Sequence, residues 1–274
     1  MKSILFFSLL LLKLIYCNGQ QFKTAVGAPY LGLSAYTTHG LTVLGATSNQ
    51  ASLAGLKHAG VGLYAEQRFG LSEVKNFAMS IAVPTRSGTI GVQLNRYGGT
   101  SYNENQVGIA YAKALSSKVS VGGKVNYYNQ TISGLYGSAS TVNFEAALLI
   151  HLTSKLTSGI SVYNPVASKY GINKEEKLNS IYKFGLGYDV SDKVAITAEA
   201  TKEENEKVNI ISAVEYQFIN QFFAKVGFAS AANTLYAAAG VTLWNKLRID
   251  CSVSHHQQLG FSPGIIVHYN FNTK

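Results

Sequence analysis

The sequence predicts an all-β protein: a closed antiparallel up-and-down transmembrane β-barrel of about 14 strands with an N-terminal plug. Three observations lead there. Short runs alternate apolar and polar residues, as in "KVSVGGKVNYY" at 118–128, the pattern of a strand with one dry and one wet face. Compact turns alternate along the chain with connections richer in Gly, Asn and Glu, the layout of a meander with its two kinds of connection at opposite ends. Charged residues make up only 14% of the 274 residues, well under the roughly 25% of soluble domains, so the outer surface need not be wet.

Residues 1–19 read as a signal peptide. Lys2 gives the positive start, Ile4 to Leu12 the apolar run, and Cys17 and Gly19 the small residues that a signal peptidase needs. Cleavage is expected after Gly19. The rival reading, a lipid anchor on Cys17, meets bulky Tyr16 where that processing wants a small residue. A spanning helix would need roughly 20 apolar residues, and Lys13 interrupts the run. Cleavage removes Lys2, Lys13 and Cys17, which leaves 21 basic against 14 acidic residues and Cys251 as the one cysteine. An internal disulfide is then excluded. The basic residues are spread along the chain, with no basic run interleaved with aromatics. That excludes a nucleic-acid footprint and points to lipid headgroups.

Residues 20–57 do not alternate and are full of Gly, Ala, Ser and Thr, which suits a compact plug in a confined space. Gly108, Ala110, Ala112, Gly185 and Gly187 fall on inner strand faces and leave room for it. The barrel is expected over 58–271, with a tail at 272–274. Its strands fall at 58–66, 75–84, 87–96, 105–115, 118–130, 139–152, 155–164, 178–190, 193–202, 207–218, 221–231, 233–244, 246–255 and 263–271. Longer connections are expected at 97–104, 131–139, 165–178 and 202–207.

The two faces of the wall separate by residue type. Val119, Val121 and Val125 belong to the dry face, with aromatics such as Tyr127, Tyr216, Phe222 and Tyr269 near strand ends, as in the aromatic girdles of membrane barrels. The inner face carries Lys124, Glu145, Lys183, Asp189, Glu199, Glu215, Lys225, Arg248 and Asp250. Mixed signs pair internally and do not resemble a single-sign ion channel. A hairpin folding near residue 134 sets Lys124 opposite Glu145, a lumenal ion pair with a structural role.

No enzyme signature, cofactor motif or metal set emerges. His255 and His256 are adjacent in an expected loop and lack a third ligand at a recognisable spacing. His151, His268, Asp250, Ser252 and Ser254 face inward, but nothing in their spacing makes a triad. The glycines of "GVGLYAEQRFG" at 60–70 are not followed by a helix, so they cradle no phosphate.

The segment Asn49-Gln50-Ala51-Ser52-Leu53-Ala54-Gly55-Leu56, followed directly by a first strand, resembles the Asn-Pro-Ala-Gly-Leu segment that closes the plug in FadL/PorV-type outer-membrane barrels. Gln50 stands where that family has Pro. "YAEQRFGLSEVKNFAMSIAVPTRSGTIGVQLNRYGGTSYNE" at 64–104 and "NQVGIAYAKALSSKVSVGGKVNYY" at 105–128 are similar to the early strands of the PorV/PorQ-like branch of Bacteroidota. The resemblance implies an exported, non-enzymatic barrel in the outer membrane of a Gram-negative cell, bathed in outer-membrane lipids. PorV/PorQ-like members act as accessory barrels in protein secretion or surface attachment (type IX), which implies a protein partner. FadL-type members pass small hydrophobic molecules through a plugged barrel. There Asn49, Gln50, Ala51 and Gly55 would gate the path. Short loops speak against wrapping a large partner, and mixed inner charges against a purely apolar conduit; with these cues nearly cancelling, the branch resemblance favours the accessory barrel in protein secretion or surface attachment, and a FadL-like passive transporter is the alternative.

Overall fold

The computed structural model describes residues 30–38, 40–134, 137–171 and 176–271. The expected signal peptide, residues 20–29 of the expected plug, and the tail 272–274 lie outside the described residues. Sixteen strands follow one another: β1 (Gly60–Gln67), β2 (Lys75–Pro84), β3 (Thr89–Gly98), β4 (Tyr102–Ala114), β5 (Val119–Ile132), β6 (Gly137–His151), β7 (Leu156–Tyr163), β8 (Lys169–Tyr170), β9 (Glu176–Lys177), β10 (Ile181–Ser191), β11 (Val194–Glu203), β12 (Asn209–Gln217), β13 (Phe222–Ala229), β14 (Thr234–Leu243), β15 (Leu247–His256) and β16 (Gly260–Asn270). All but β8 and β9 form one closed barrel of 14 strands; those two make a separate small hairpin. Each barrel strand pairs antiparallel with the barrel strands before and after it, β7 with β10 across the small sheet, and β1 closes on β16 from Gly60↔Asn270 to Glu66↔Gly264. Closure leaves no backbone edge unpaired, which is what lipid demands of a sheet.

The alternation of the sequence becomes the two faces of the wall. Along β4, Val107, Ile109 and Tyr111 are 43%, 63% and 44% exposed, while Gln106, Ala110 and Ala112, which alternate with them, are buried. The apolar band runs from Val142 to Leu152, and on β4 exposed Lys113 interrupts it between Tyr111 and Leu115. At ~3.3 Å per residue and a tilt near 40° the stretch Val142 to Leu152 is roughly 25 Å, close to the ~25 Å band of outer-membrane barrels. Trp244, Phe218, Phe222 and Phe271 stand exposed at its lower edge, with T-shaped ring pairs Tyr216–Phe218 and Tyr269–Phe271. Val119 and Val121 are half-buried and Val125 exposed, while Lys124 and Asn126 are buried inside.

Two connections are shorter than expected. The chain turns at 99–101, not across 97–104, and β5 runs on to Ile132 and β6 begins at Gly137, within the expected connection 131–139. Gly98 (φ 97°) explains the first: a Cβ there would lie 2.2 Å from the Tyr102 carbonyl oxygen. Gly134 and Gly137, also at positive φ, reverse β5 into β6. Glycine at these positions lets the ladder run almost to the tip. As a result β5 and β6, of 14 and 15 residues, rise well past β7, of 8. A second correction concerns His255 and His256, which end β15 and are not in a loop. The His256 ring nitrogen caps the following turn by accepting the Gln258 and Leu259 N–H groups.

Candidate functional site

Residues 30–38 and 40–56 fill the lumen, with helical turns: a one-turn α-helix at Tyr30–Leu33, then 3-10 turns at Ser34–Tyr36, Val43–Thr47 and Gln50–Gly55. Leu31, Leu33, Tyr36, Val43, Leu44, Ala51 and Leu53 share one buried cluster with inner wall residues such as Ala78, Ala110, Ala147 and Ala213. No strand of the wall is continued by the plug.

Wall glycines decide how closely the plug fits. A Cβ on Gly185 would fall 2.0 Å from the Tyr36 ring, and one on Gly187 would fall 2.0 Å from the Tyr36 carbonyl oxygen. Gly122 lies against the backbone of Gln50 and Ala51, Gly159 against Asn49, Gly62 against Leu44, and Gly91 against Leu53. A strand glycine weakens the ladder and marks a close approach from another segment. Of the small residues singled out in the sequence, Gly185 and Gly187 meet the plug, whereas Gly108 makes room for Asn126 and Lys124 of the wall itself.

Asn49 acts in two directions. Its side-chain oxygen accepts the Ala51 N–H at 3.0 Å, the N-cap of the turn Gln50–Gly55. Its Nδ2 donates at 3.1 Å to the carbonyls of Leu148 and Ile160, opposite residues on β6 and β7. Gln50 donates to the Glu145 carboxylate and to the Ala46 carbonyl. Ala51 sits on Gly122. Gly55 is set apart from these three: it is exposed at the end of the turn and touches Leu41.

The register places Lys124 directly opposite Glu145, with Nζ 2.7 Å from Oε1 and side chains 1% and 7% exposed. Lys124 also donates to Gln93 at 2.7 Å and Asn126 to Glu145 at 2.8 Å. From this pair a polar ladder climbs through Asn126, Asn143, Tyr163 and Gln106. Above it Tyr102 and Tyr128 donate to the buried Glu104, and Tyr170 of the small hairpin stacks edge-on against Tyr128 at 5.6 Å.

Other wall charges grip the plug or each other. The Tyr36 hydroxyl donates to Glu199 at 2.8 Å; burial, and then that carboxylate, push its pKa well above the ordinary tyrosine range. Thr38 donates its N–H and hydroxyl to Asp189, Lys183 donates to the Thr47 carbonyl, and Ser80 and Ser161 donate to the Val43 and Ser48 carbonyls. Glu215 holds Lys225 and Arg248, Asp250 holds Arg248, and Arg248 lies 3.5 Å above the Phe223 ring. Beside this network, two cavities of about 20 and 10 Å³ separate plug residues such as Ser34 and Thr42 from the wall. Each holds a water at most.

The inward histidines form no catalytic group. His151 bonds Thr157 across its own hairpin, whereas His268 lies opposite Arg248 on β16. Among the described residues no group of three or more His, Cys, Asp or Glu is placed to hold a metal.

No family model matches the chain, and no curated protein matches it. Solved structures do. The CymD monoaromatic hydrocarbon channel matches with a TM-score of 0.65 at 12% identity, over 92% of this chain and all of that one. A Pseudomonas aeruginosa FadL homologue gives 0.66 at 10% identity, over 91% and 98% of the two chains. The Ralstonia pickettii toluene transporter TbuX gives 0.62 at 10%, over 85% and 94%. The chain has the FadL-type barrel fold. At this identity the likeness is one of fold: the closed wall of 14 strands and the segment ahead of β1 that it encloses.

Proposed function

We propose that the protein is an outer-membrane conduit for small hydrophobic molecules, with residues 30–56 as its gate and Asn49, Gln50 and Ala51 as the gate's latch on the wall. One observation carries the reading: the plug is a separate segment, seated in glycine pockets and held by side-chain hydrogen bonds, not woven into the sheet. Such a contact can open without breaking the barrel. The fold shared with a hydrocarbon channel and a toluene transporter supports the same reading.

A disulfide across the contact tests it. A Cβ built on Gly62 lies 2.6 Å from Leu44 Cγ, which puts it within about 4 Å of Leu44 Cβ, the spacing a disulfide needs. Cys251 is exposed on the outer wall and does not compete. The double variant Leu44→Cys/Gly62→Cys is expressed in a lipopolysaccharide-bearing outer membrane of a host without its own channel of this kind. Uptake of a labelled monoaromatic hydrocarbon should fall to the empty-vector rate when the pair is oxidised and recover on reduction. A wild type no faster than the empty vector sinks the conduit, and equal uptake in both states of the pair rules out the turn around Leu44 as its moving part.

A second reading, an accessory barrel of PorV/PorQ-like type serving protein secretion or surface attachment, draws support from β4–β6. Above Val107, Tyr127 and Val142 their outer face turns polar, with Asn105, Asn129 and Ser140 in line. A water-facing sheet beyond the lipid band is a surface a protein can use. Gentle purification that yields a stoichiometric protein partner, lost on Asn129→Arg, would favour this reading.

A further inference from the structure

Basic residues that are scattered in the sequence are gathered by the fold into one ring. The connections at one end of the barrel are 85–88, 115–118, 152–155, 192–193, 218–221 and 244–246. They carry Arg86, Lys118, Lys155, Lys193 and Lys246 against Asp192 alone, five charges less one, a net +4. The connections at the other end balance among the described residues. Arg68, Lys169, Lys177 and Lys207 face Glu73, Glu176, Glu204 and Glu206, four against four.

Three of the basic turns share one local device. Ser116, Thr153 and Ser191 each accept, on the side-chain oxygen, the N–H of the lysine two residues on, at 3.2, 3.2 and 3.3 Å. This hydroxyl turn fixes the backbone and leaves Lys118, Lys155 and Lys193 exposed. The three turns join β4 to β5, β6 to β7 and β10 to β11, which are consecutive around the wall. With strands ~4.8 Å apart, neighbouring turns stand about 10 Å from one another.

Their height identifies what they meet. Leu115 and Leu152, 62% and 50% exposed, open two of the turns, and Val190, 38% exposed, precedes the third, at the edge of the apolar band. Trp244 is 79% exposed in the turn that carries Lys246. A lysine a few residues beyond the band, beside an interfacial aromatic, sits at headgroup depth. In barrels of this kind the short turns face the periplasm. We infer that the ring of Arg86, Lys118, Lys155, Lys193 and Lys246 binds anionic phospholipid headgroups of the periplasmic leaflet and fixes the depth of the barrel in it. Buried Asp189, which accepts from Thr38, takes one charge from the ring, but Lys57 and Lys113, exposed at the same end, more than offset it.

The test is native mass spectrometry of the whole protein in neutral detergent with equal amounts of phosphatidylglycerol and phosphatidylcholine. The wild type should retain phosphatidylglycerol several-fold over phosphatidylcholine. Lys118→Gln/Lys155→Gln/Lys193→Gln should lose most of that preference, at up to about fivefold per lysine. Lys75→Gln/Lys169→Gln/Lys207→Gln, at the balanced end, should keep it. No preference in the wild type, an equal loss in both triples, or an unchanged turn triple would overturn the inference. So would a wild type that retains an anionic polymer in place of lipid. Should the turn triple not assemble, a salt titration of the wild type decides: the preference must fall as ionic strength rises, and a flat profile is the contrary result.

Discussion

Replacing Glu145 by leucine should destabilise the barrel more than replacing its partner Lys124 by methionine, and doing both should recover most of the loss. Lys124 is 1% exposed at its side chain and has two acceptors, Glu145 at 2.7 Å and Gln93 at 2.7 Å. Glu145→Leu leaves a buried ammonium with one neutral acceptor and also strands donors on Asn126 and Gln50. Breaking a buried pair from one side costs about 3–5 kcal/mol, and the stranded donors place this case at the upper end. Lys124→Met leaves Glu145 with the Asn126 and Gln50 donors still in place, so roughly 2–3 kcal/mol is expected, since bonds to a charged group contribute about 1.5–3 kcal/mol. The double variant removes both desolvated charges, and such replacements are close to neutral. Denaturant unfolding in phospholipid vesicles measures all three, with the single Trp244 at the membrane edge as reporter. Two singles below about 1 kcal/mol that simply add in the double would refute a buried, coupled pair.

Further outcomes follow from the same geometry. Asn49→Ala removes a cap and two wall contacts; about 1–3 kcal/mol of plug anchoring should go, seen as faster proteolysis of residues 30–56 in an intact barrel. Gly185→Val, whose Cβ meets the Tyr36 ring at 2.0 Å, should unseat the plug and raise single-channel conductance, and adding Tyr36→Ala should restore the closed level; an unchanged conductance would show that the pocket is not tight. Val125→Arg, on the lipid face at 48% exposure, should cost about 2 kcal/mol, read by vesicle unfolding, against no loss for Ser138→Arg, which lies above the band on exposed β6.

Much of the wall was legible because a strand facing lipid on one side obeys a period of two without exception from neighbours. Val107, Ile109 and Tyr111 could be set on one face from spacing alone. The Lys124–Glu145 juxtaposition was legible for a related reason: in a hairpin, one turn position fixes every partner. The connections after Gly98 and after Ile132 read as longer in the sequence, since Gly, Ser and Thr there match loop composition while Gly98, Gly134 and Gly137 take positive φ and let the strands run on. The plug site was hidden for a deeper reason. Tyr36 is joined to Gly185, Gly187 and Glu199 across about 150 residues or more, and no local period connects them. A signal did exist, in inner-face glycines recurring on well-separated strands, Gly62, Gly91, Gly122, Gly159 and Gly185. Read together, they trace the footprint of the plug on the wall.

The strength of that footprint limits how a gate could work. Eight described wall residues bond the plug: Ser80, Glu145, Leu148, Ile160, Ser161, Lys183, Asp189 and Glu199. At about 0.5–1.5 kcal/mol net each, their joint loss costs roughly 4–12 kcal/mol before any apolar surface is counted. Complete expulsion would then hold for less than about one molecule in a thousand. A conduit built on this wall must therefore open by a partial shift of the plug, one that surrenders a few bonds while the rest hold. The Leu44→Cys/Gly62→Cys tether engages β1 alone, away from the cluster of anchors on β6, β7, β10 and β11. If that single tether on the lightly bonded side stops uptake, the moving part is the turn around Leu44. If uptake survives it but falls when Asn49 and Gln50 are pinned to β6 and β7, the latch itself is what moves.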